Sequence, residues 1–390
     1  MERGAVRWTE RVQKGIHVAD DRLAALTAAG VSIWLDDLSR GRLVSGDLRR
    51  LIDDKHVVGV TSNPTIFAAA LARGGAYTPQ IRELAWRGAT VEEAVRQLMV
   101  VDVQEACDLF RDVWEASDGV DGRVSLEVNP ELAGDREATV LEAVSLMRAV
   151  GRPNLHVKIP ATRASLPAIT EALSLGVDIN VTLIFSVERY REVMAAYLAG
   201  LERAVDAGVP LPGVHSVASV FVSRIDAEVD KRLEEIGSDA ALALRGMAGI
   251  ANSRLAYQAF RETFAGPRWE RLAARGARVQ RLLWASTGVK NAAYPDTMYV
   301  TELAVAGTVN TMPEATLDAF ADHGSLRGAD NGEAVNGRAA EAGEVIDAIA
   351  AAGVDFAEVF TVLERDGVGR FARSWADLHG TVRQSMGAAG

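Results

Sequence analysis

Lys158, in Asn154-Leu-His-Val-Lys-Ile-Pro160, is the residue whose type and setting carry the most chemistry. It lies in a short apolar run with the side-chain alternation of a strand, Val157 and Ile159 on one face and His156 and Lys158 on the other. Only five of the 42 basic residues are lysines, at positions 14, 55, 158, 231 and 290, so arginine supplies nearly all of the cationic surface. In a confined, weakly solvated interior an ammonium loses its proton more easily, and the neutral amine can attack a ketone to give a carbinolamine and then an imine. Arginine stays protonated and could not do this. The strand alone leaves a second reading equally open, a lysine that snorkels to solvent or pairs with a carboxylate.

Other polar residues sit at the ends of similar runs. Asp36 ends Val31-Ser-Ile-Trp-Leu-Asp36, where a carboxylate facing the lysine could carry the hydroxyl proton that moves during C–C cleavage. Its alternative is capping the next helix, which Asp37 or Ser39 could equally do. Glu127 shares a face with Ser125 opposite Val124, Leu126 and Val128, and a carboxylate inside a barrel is expensive unless paired or used. It could orient the water that joins and leaves the imine carbon, or pair with Lys158, and the two are compatible. Asn180 and Thr182 share one face while Ile179, Val181 and Leu183 share the other, so the amide and hydroxyl could bind substrate hydroxyls or a water. Thr61 and Asn63 end another run in the same way. Ser219, Phe221 and Arg224 follow a later one, where a guanidinium could grip phosphate through two hydrogen bonds. Ser286 and Lys290, in Ala285-Ser-Thr-Gly-Val-Lys290, form the second half of that candidate phosphate site. In isolation Arg224 could equally be an ordinary surface residue.

These positions need a scaffold that brings strand ends together. Eight apolar runs, at residues 32–36, 57–63, 124–128, 155–160, 177–183, 215–222, 281–286 and 306–311, alternate with helix-patterned stretches. Alternating strands and helices imply a parallel sheet, and eight units fit a closed (β/α)8 TIM barrel, an α/β fold whose site lies at the C-terminal strand ends. Asp135 and Ser186 are candidate caps of two of the helices. About sixty residues separate the second run from the third and the sixth from the seventh, so both connections should hold extra helices. The expected organisation is a single domain: a helical segment over residues 1–30, the barrel over 31–324 and a helical extension over 325–390. Within the extension, 324–337 reads as a polar loop, 338–351 as helix, and the last six residues as frayed.

The net charge of −11 disfavours nucleic acid or an anionic membrane as partner. No apolar run approaches membrane-spanning length, and the N-terminus lacks the pattern of a signal peptide. With Cys107 as the one cysteine, no internal disulfide can form, and the expected location is cytoplasmic. The six histidines show no ligand spacing and no glycine-rich nucleotide fingerprint occurs, so neither a metal nor another cofactor is expected.

Six segments, in order across about residues 30 to 320, resemble the transaldolases, specifically the longer bacterial type. They are Trp34-Leu-Asp-Asp-Leu-Ser-Arg40, Gly59-Val-Thr-Ser-Asn-Pro-Thr-Ile-Phe67, Ser125-Leu-Glu-Val-Asn-Pro130, Asn154-Leu-His-Val-Lys-Ile-Pro-Ala-Thr162, Ile179-Asn-Val-Thr-Leu-Ile-Phe-Ser186 and Asn310-Thr-Met-Pro-Glu-Ala-Thr-Leu317. The resemblance implies a metal-free transfer of a dihydroxyacetone unit from a ketose phosphate, such as fructose 6-phosphate or sedoheptulose 7-phosphate, to an aldose phosphate. By position it implies Lys158 as the Schiff-base lysine, Asp36 as the acid/base and Glu127 with Thr182 as the pair that handles water. Asn63, Asn180 and Ser219 match hydroxyl-binding residues and Arg224 a phosphate-binding arginine. The chain departs from the family pattern in Ser219-Val-Phe-Val-Ser-Arg224, where many relatives carry Pro and Gly. It departs again after the seventh run, where many carry a second arginine and this chain offers Lys290.

Two rival functions follow. A fructose-6-phosphate aldolase would use the same lysine and release free dihydroxyacetone; such relatives tend to lack the glutamate and to carry tyrosine where this chain has Phe221. A catalytically silent sugar-phosphate-binding barrel is the other, since a fold does not fix a function. Whether the C-terminal helices only cover the barrel or form a homodimer contact is left open by the sequence.

Overall fold

The computed structural model describes residues 21–326 and 332–388. Eight parallel strands close into a barrel in sequence order: β1 (Ser32–Leu35), β2 (Val57–Thr61), β3 (Arg123–Glu127), β4 (Leu155–Pro160), β5 (Ile179–Ile184), β6 (Ser216–Phe221), β7 (Arg281–Ala285) and β8 (Val309–Met312). The eight-unit expectation therefore holds, with local differences. β8 starts at Val309 rather than at residue 306, because Gly307 takes a left-handed turn (φ 81°) and Thr308 Oγ1 folds back to donate to the Val305 carbonyl.

β5 departs from simple alternation. Leu183 was expected on the outer face with Ile179 and Val181, but it adopts a left-handed φ of 60° and the pairing with β6 shifts there. The bulge moves Leu183 into the cluster that contains Phe185, Phe221 and Phe371, and Ile184 takes over the outer position with Ile179 and Val181.

The expected caps form: the Asp135 carboxylate accepts from Ala138 N at 3.0 Å, and Ser186 Oγ accepts from Arg189 N at 3.0 Å. Both long connections hold extra helices, Pro64–Ala72, Thr78–Trp86, Val91–Leu109 and Arg111–Ala116 after β2, and Ser223–Ile236, Asp239–Leu242, Ala248–Thr263 and Pro267–Ala273 after β6. Of the expected leading helical segment, Arg22–Ala28 is helical and residues 1–20 lie outside the described residues. In the loop expected at 324–337, residues 327–331 also lie outside them.

The last helix spans Phe356–Gly387. Residues 385–387, expected to fray, continue it, and Met386 packs against the main core. Its buried stripe of Val359, Leu363, Gly367, Phe371, Ser374, Leu378 and Val382 keeps helical spacing, and that face packs chiefly on the helices that follow β2 and β6 and partly on β5. Thr65 Oγ1 and Ser374 Oγ lie 2.7 Å apart, and Arg189–Glu364 and Arg232–Glu358 ion pairs of 3.0 and 2.8 Å tie its N-terminal half down.

The lower half of the barrel interior is plugged. Trp34, Val217, Leu283 and Val309 join one buried cluster, and the Trp34 ring lies 6.0 Å from that of His156. The indole fits because β2 carries Gly59: a Cβ there would stand 2.5 Å from Trp34 Cε2. Gly59→Ala is thus expected to lower unfolding free energy by about 2 kcal/mol through overpacking. Chemical denaturation checks this, and a partial rescue by Trp34→Leu in the same chain would assign the loss to the indole contact.

Candidate active site

Above the plug the interior turns polar, and strand register decides which groups meet. Glu127 of β3 lies beside Lys158 of β4, and Lys158 beside Asn180 of β5. Only 4% of Lys158 and 3% of Glu127 is exposed, so both expected ionisable groups are held out of solvent. Lys158 Nζ donates to the Ser62 carbonyl at 3.0 Å, and Ser62 Oγ in turn donates to the Ser125 carbonyl at 2.7 Å. The Lys158 Nζ to Glu127 Oε2 distance is 3.7 Å, too long for a hydrogen bond, so the pair interacts mainly through its charges. Burial pushes the Glu127 carboxyl up to about 7 against the pull of the Lys158 charge. Neither Glu127 oxygen has a hydrogen-bond donor among the described residues, and Thr182 Oγ1 is likewise buried without a partner.

Asp36 follows β1, and its backbone N–H donates to the Met312 carbonyl. Its side chain does not cap the next helix. Ser39 caps Arg40–Val44, and Asp37 accepts from Arg42 Nη2 at 2.8 Å. The Asp36 carboxylate is instead aimed at the cavity and accepts from Thr61 Oγ1 at 2.8 Å, with Thr311 Oγ1 2.7 Å from the same hydroxyl. Burial raises its pKa, opposed chiefly by the charge of Lys158.

Asn180 and Ser219 belong to a second buried chain: Ser219 Oγ donates to Asn180 Oδ1 at 2.7 Å, and Asn180 Nδ2 donates to Ser125 Oγ at 3.0 Å. Asn63 caps Pro64–Ala72 with its amide oxygen, 3.0 Å from Ile66 N, which leaves its amide nitrogen for a ligand.

Asp36, Thr61, Asn63, Lys158, Thr182, Ser219, Phe221, Arg224, Ser286 and Lys290 line one cavity of about 290 Å³. Glu127 and Asn180 stand behind that lining, in contact with it through Lys158 and Ser219. At the mouth the Arg224 guanidinium lies 5.0 Å from the centre of the Phe221 ring. Burial, and then the nearby Arg370 charge, lower the Arg224 pKa to about 10. Ser286, held at a left-handed φ of 55°, lies 3.0 Å from Ser223 through their hydroxyls.

Sequence reasoning missed several neighbours. Ser62 acts through its backbone carbonyl, which side-chain alternation does not report. Thr311 lay within a segment already singled out and shares the inward face of β8. Arg370 and Phe371 reach the cavity from the C-terminal helix, far from every strand end. A wider cleft of about 680 Å³ near Arg42, Arg50 and Arg73 lies away from these groups. There Arg42 is already held by Asp37, Asp47 and Glu314, and Arg50 by Asp47.

The ensemble is a buried amine with two carboxylates, hydroxyl and amide groups around it, and cations at the entrance, which suits imine chemistry on a phosphorylated sugar. Residues 33–382 match the family described as Transaldolase/Fructose-6-phosphate aldolase. The chain is 60% identical over 368 residues to a transaldolase of Mycolicibacterium paratuberculosis, covering 94% of this chain and 98% of the relative. It is 58% identical to the transaldolase of Mycolicibacterium smegmatis and 57% to that of Mycobacterium tuberculosis, with 94% of this chain and 98% of each relative covered. Fold, residue constellation and relatives agree, and the chain belongs to the transaldolase/fructose-6-phosphate aldolase family.

Proposed function

We propose that the chain is a transaldolase in which Lys158 carries a dihydroxyacetone unit from a ketose phosphate, sedoheptulose 7-phosphate or fructose 6-phosphate, to an aldose phosphate, glyceraldehyde 3-phosphate or erythrose 4-phosphate. The observation that carries this reading is a lysine amine buried 3.7 Å from Glu127 in a cavity that Asp36 also lines. The donation of Nζ to the Ser62 carbonyl turns the remainder of the amine toward the cavity. The neutral amine attacks C2 of the ketose, and loss of water leaves the imine. Asp36 takes the C4 hydroxyl proton as the C3–C4 bond breaks, the bonding pair moves into the iminium to form an enamine, and the aldose departs. The acceptor aldehyde then receives the enamine carbon, and Asp36 returns the proton to the new hydroxyl. Water re-enters to hydrolyse the imine. The unpartnered Glu127 and Thr182 oxygens suit holding it beside C2.

Asn63, Asn180 and Ser219 would bind sugar hydroxyls, with Thr61 aligning Asp36, while Arg224, Ser286 and Lys290 would hold the phosphate. Transfer is favoured over simple aldol cleavage by the buried Glu127, by Phe221 at the mouth and by the name its relatives share. The domain reading is of the same kind: one barrel unit with the C-terminal helix as its roof, acting on small sugar phosphates in the cytoplasm. No helix among the described residues is long and apolar enough to cross a membrane.

Borohydride reduction in the presence of fructose 6-phosphate should trap an adduct on the Lys158 peptide, read by peptide mass mapping. Lys158→Arg should abolish the adduct and cut turnover by at least about a thousandfold. An adduct on another lysine would sink the mechanism. Fructose 6-phosphate alone should release little dihydroxyacetone, whereas adding erythrose 4-phosphate should start sedoheptulose 7-phosphate formation; fast release without acceptor would make the chain an aldolase. The Glu127 carboxyl near 7 sets the pH dependence. Below that pH it is protonated and cannot accept a proton from water, so kcat/KM should fall as pH falls through about 7. Glu127→Gln should lower kcat about a hundredfold and remove that limb. A limb left in place would assign it to another group.

A further inference from the structure

The mouth of the cavity gathers positive charge beyond the pair drawn from strand ends. Arg224 and Lys290 line it from the barrel loops, and Arg370 lines it from the C-terminal helix. Among the described residues no carboxylate forms an ion pair with any of the three. The carboxylates of the site, Asp36 and Glu127, belong to its interior. Three like charges converging without a counterion repel one another, and such an arrangement points to an anionic ligand rather than to packing.

The helix is built to bring Arg370 there. Gly367 lies one turn earlier on the same face, and a Cβ at that position would stand 3.1 Å from Leu183 and 3.7 Å from Arg224 Nη1. Leu183 occupies that contact because of the bulge in β5. Phe371, buried beside Arg370, closes the apolar side of the same cavity. A helical glycine costs about 1 kcal/mol relative to alanine, and here it makes room for Leu183 beneath the helix.

We infer that Arg370 is a third phosphate ligand, so that the C-terminal helix supplies part of the substrate grip as well as the roof. This rests on the reading that the phosphate sits at the mouth with Arg224. A phosphate monoester carries close to two negative charges at neutral pH and three acceptor oxygens, enough to engage both guanidiniums and the Lys290 ammonium together. Burial lowers the pKa of Lys290, as does the nearby Arg224, and burial and Arg370 lower that of Arg224, so both gain from a dianion beside them. Arg370 lies at the exposed rim, so its role is to hold the ligand and the helix against each other rather than to stabilise the fold.

Steady-state kinetics on the full chain tests this, with fructose 6-phosphate as donor, erythrose 4-phosphate as acceptor and inorganic phosphate as competitive inhibitor. Arg370→Ala should raise both the KM for fructose 6-phosphate and the Ki for phosphate about tenfold, with kcat within threefold and Tm unchanged. Arg370→Lys should recover part of the loss, and Arg370→Glu should exceed it. Arg224→Ala is measured in parallel. If Arg224→Ala weakens phosphate inhibition and Arg370→Ala leaves Ki and KM within twofold, the Arg370 assignment falls alone. If neither moves Ki while borohydride still traps Lys158, the phosphate is held elsewhere and both readings of the mouth fall.

Discussion

The structure turns on a buried amine and carboxylate side by side in a closed barrel. Register between β3 and β4 sets Glu127 next to Lys158, and closure of the sheet removes both from water. Desolvation of such a pair can exceed its attraction, and at 3.7 Å the two do not share a hydrogen bond that would offset it. The pair is therefore a poor stabilising element. It persists because the surrounding strands hold it, and the raised Glu127 pKa expresses the same strain. The barrel interior also holds Trp34, Val217, Leu283 and Val309, whose apolar burial offsets part of that cost.

Rigidity in the polar layer comes from two hydrogen-bonded chains. One runs from Thr311 through Thr61 to Asp36, and the other from Ser219 through Asn180 to Ser125. Ser62 reaches Ser125 as well, through the Ser125 carbonyl, while its own carbonyl receives Lys158. The amine is thereby anchored to β2 and β3 as well as to its own strand. Satisfied buried networks of this kind fix side-chain positions closely. The Glu127 oxygens and Thr182 Oγ1 are left unsatisfied, and the proposed mechanism assigns water to them.

Much of this was legible because parallel barrel strands alternate faces strictly. His156 and Lys158, Ser125 and Glu127, and Asn180 and Thr182 could all be turned inward from spacing alone. Alternation fails where the backbone departs from a regular strand. Leu183, in a left-handed conformation, leaves the face its position implies, and nothing in Asp178-Ile-Asn-Val-Thr-Leu183 marks the bulge. Ser62 escaped because its contribution is a carbonyl. Arg370 escaped because a residue nearly two hundred positions from β5 reaches the site only through the tertiary path of a helix, and helical periodicity reports a buried face without saying what lies under it.

The charges inside the cavity are arranged in a gradient, and under the proposed function that gradient would orient the substrate. Carboxylates that resist ionisation lie deep, beside Lys158, and cations lie at the mouth beside Phe221 and the C-terminal helix. A phosphate placed among the carboxylates would meet like charge in a weakly solvated interior, where repulsion is strongest. At the mouth it meets cations and retains contact with water. Under the proposed function a sugar phosphate would therefore bind with its phosphate outward and its carbonyl inward. The net charge of −11 makes the local positive mouth more consequential, because it is an exception to the field around the rest of the chain and so a place where an anion is drawn in.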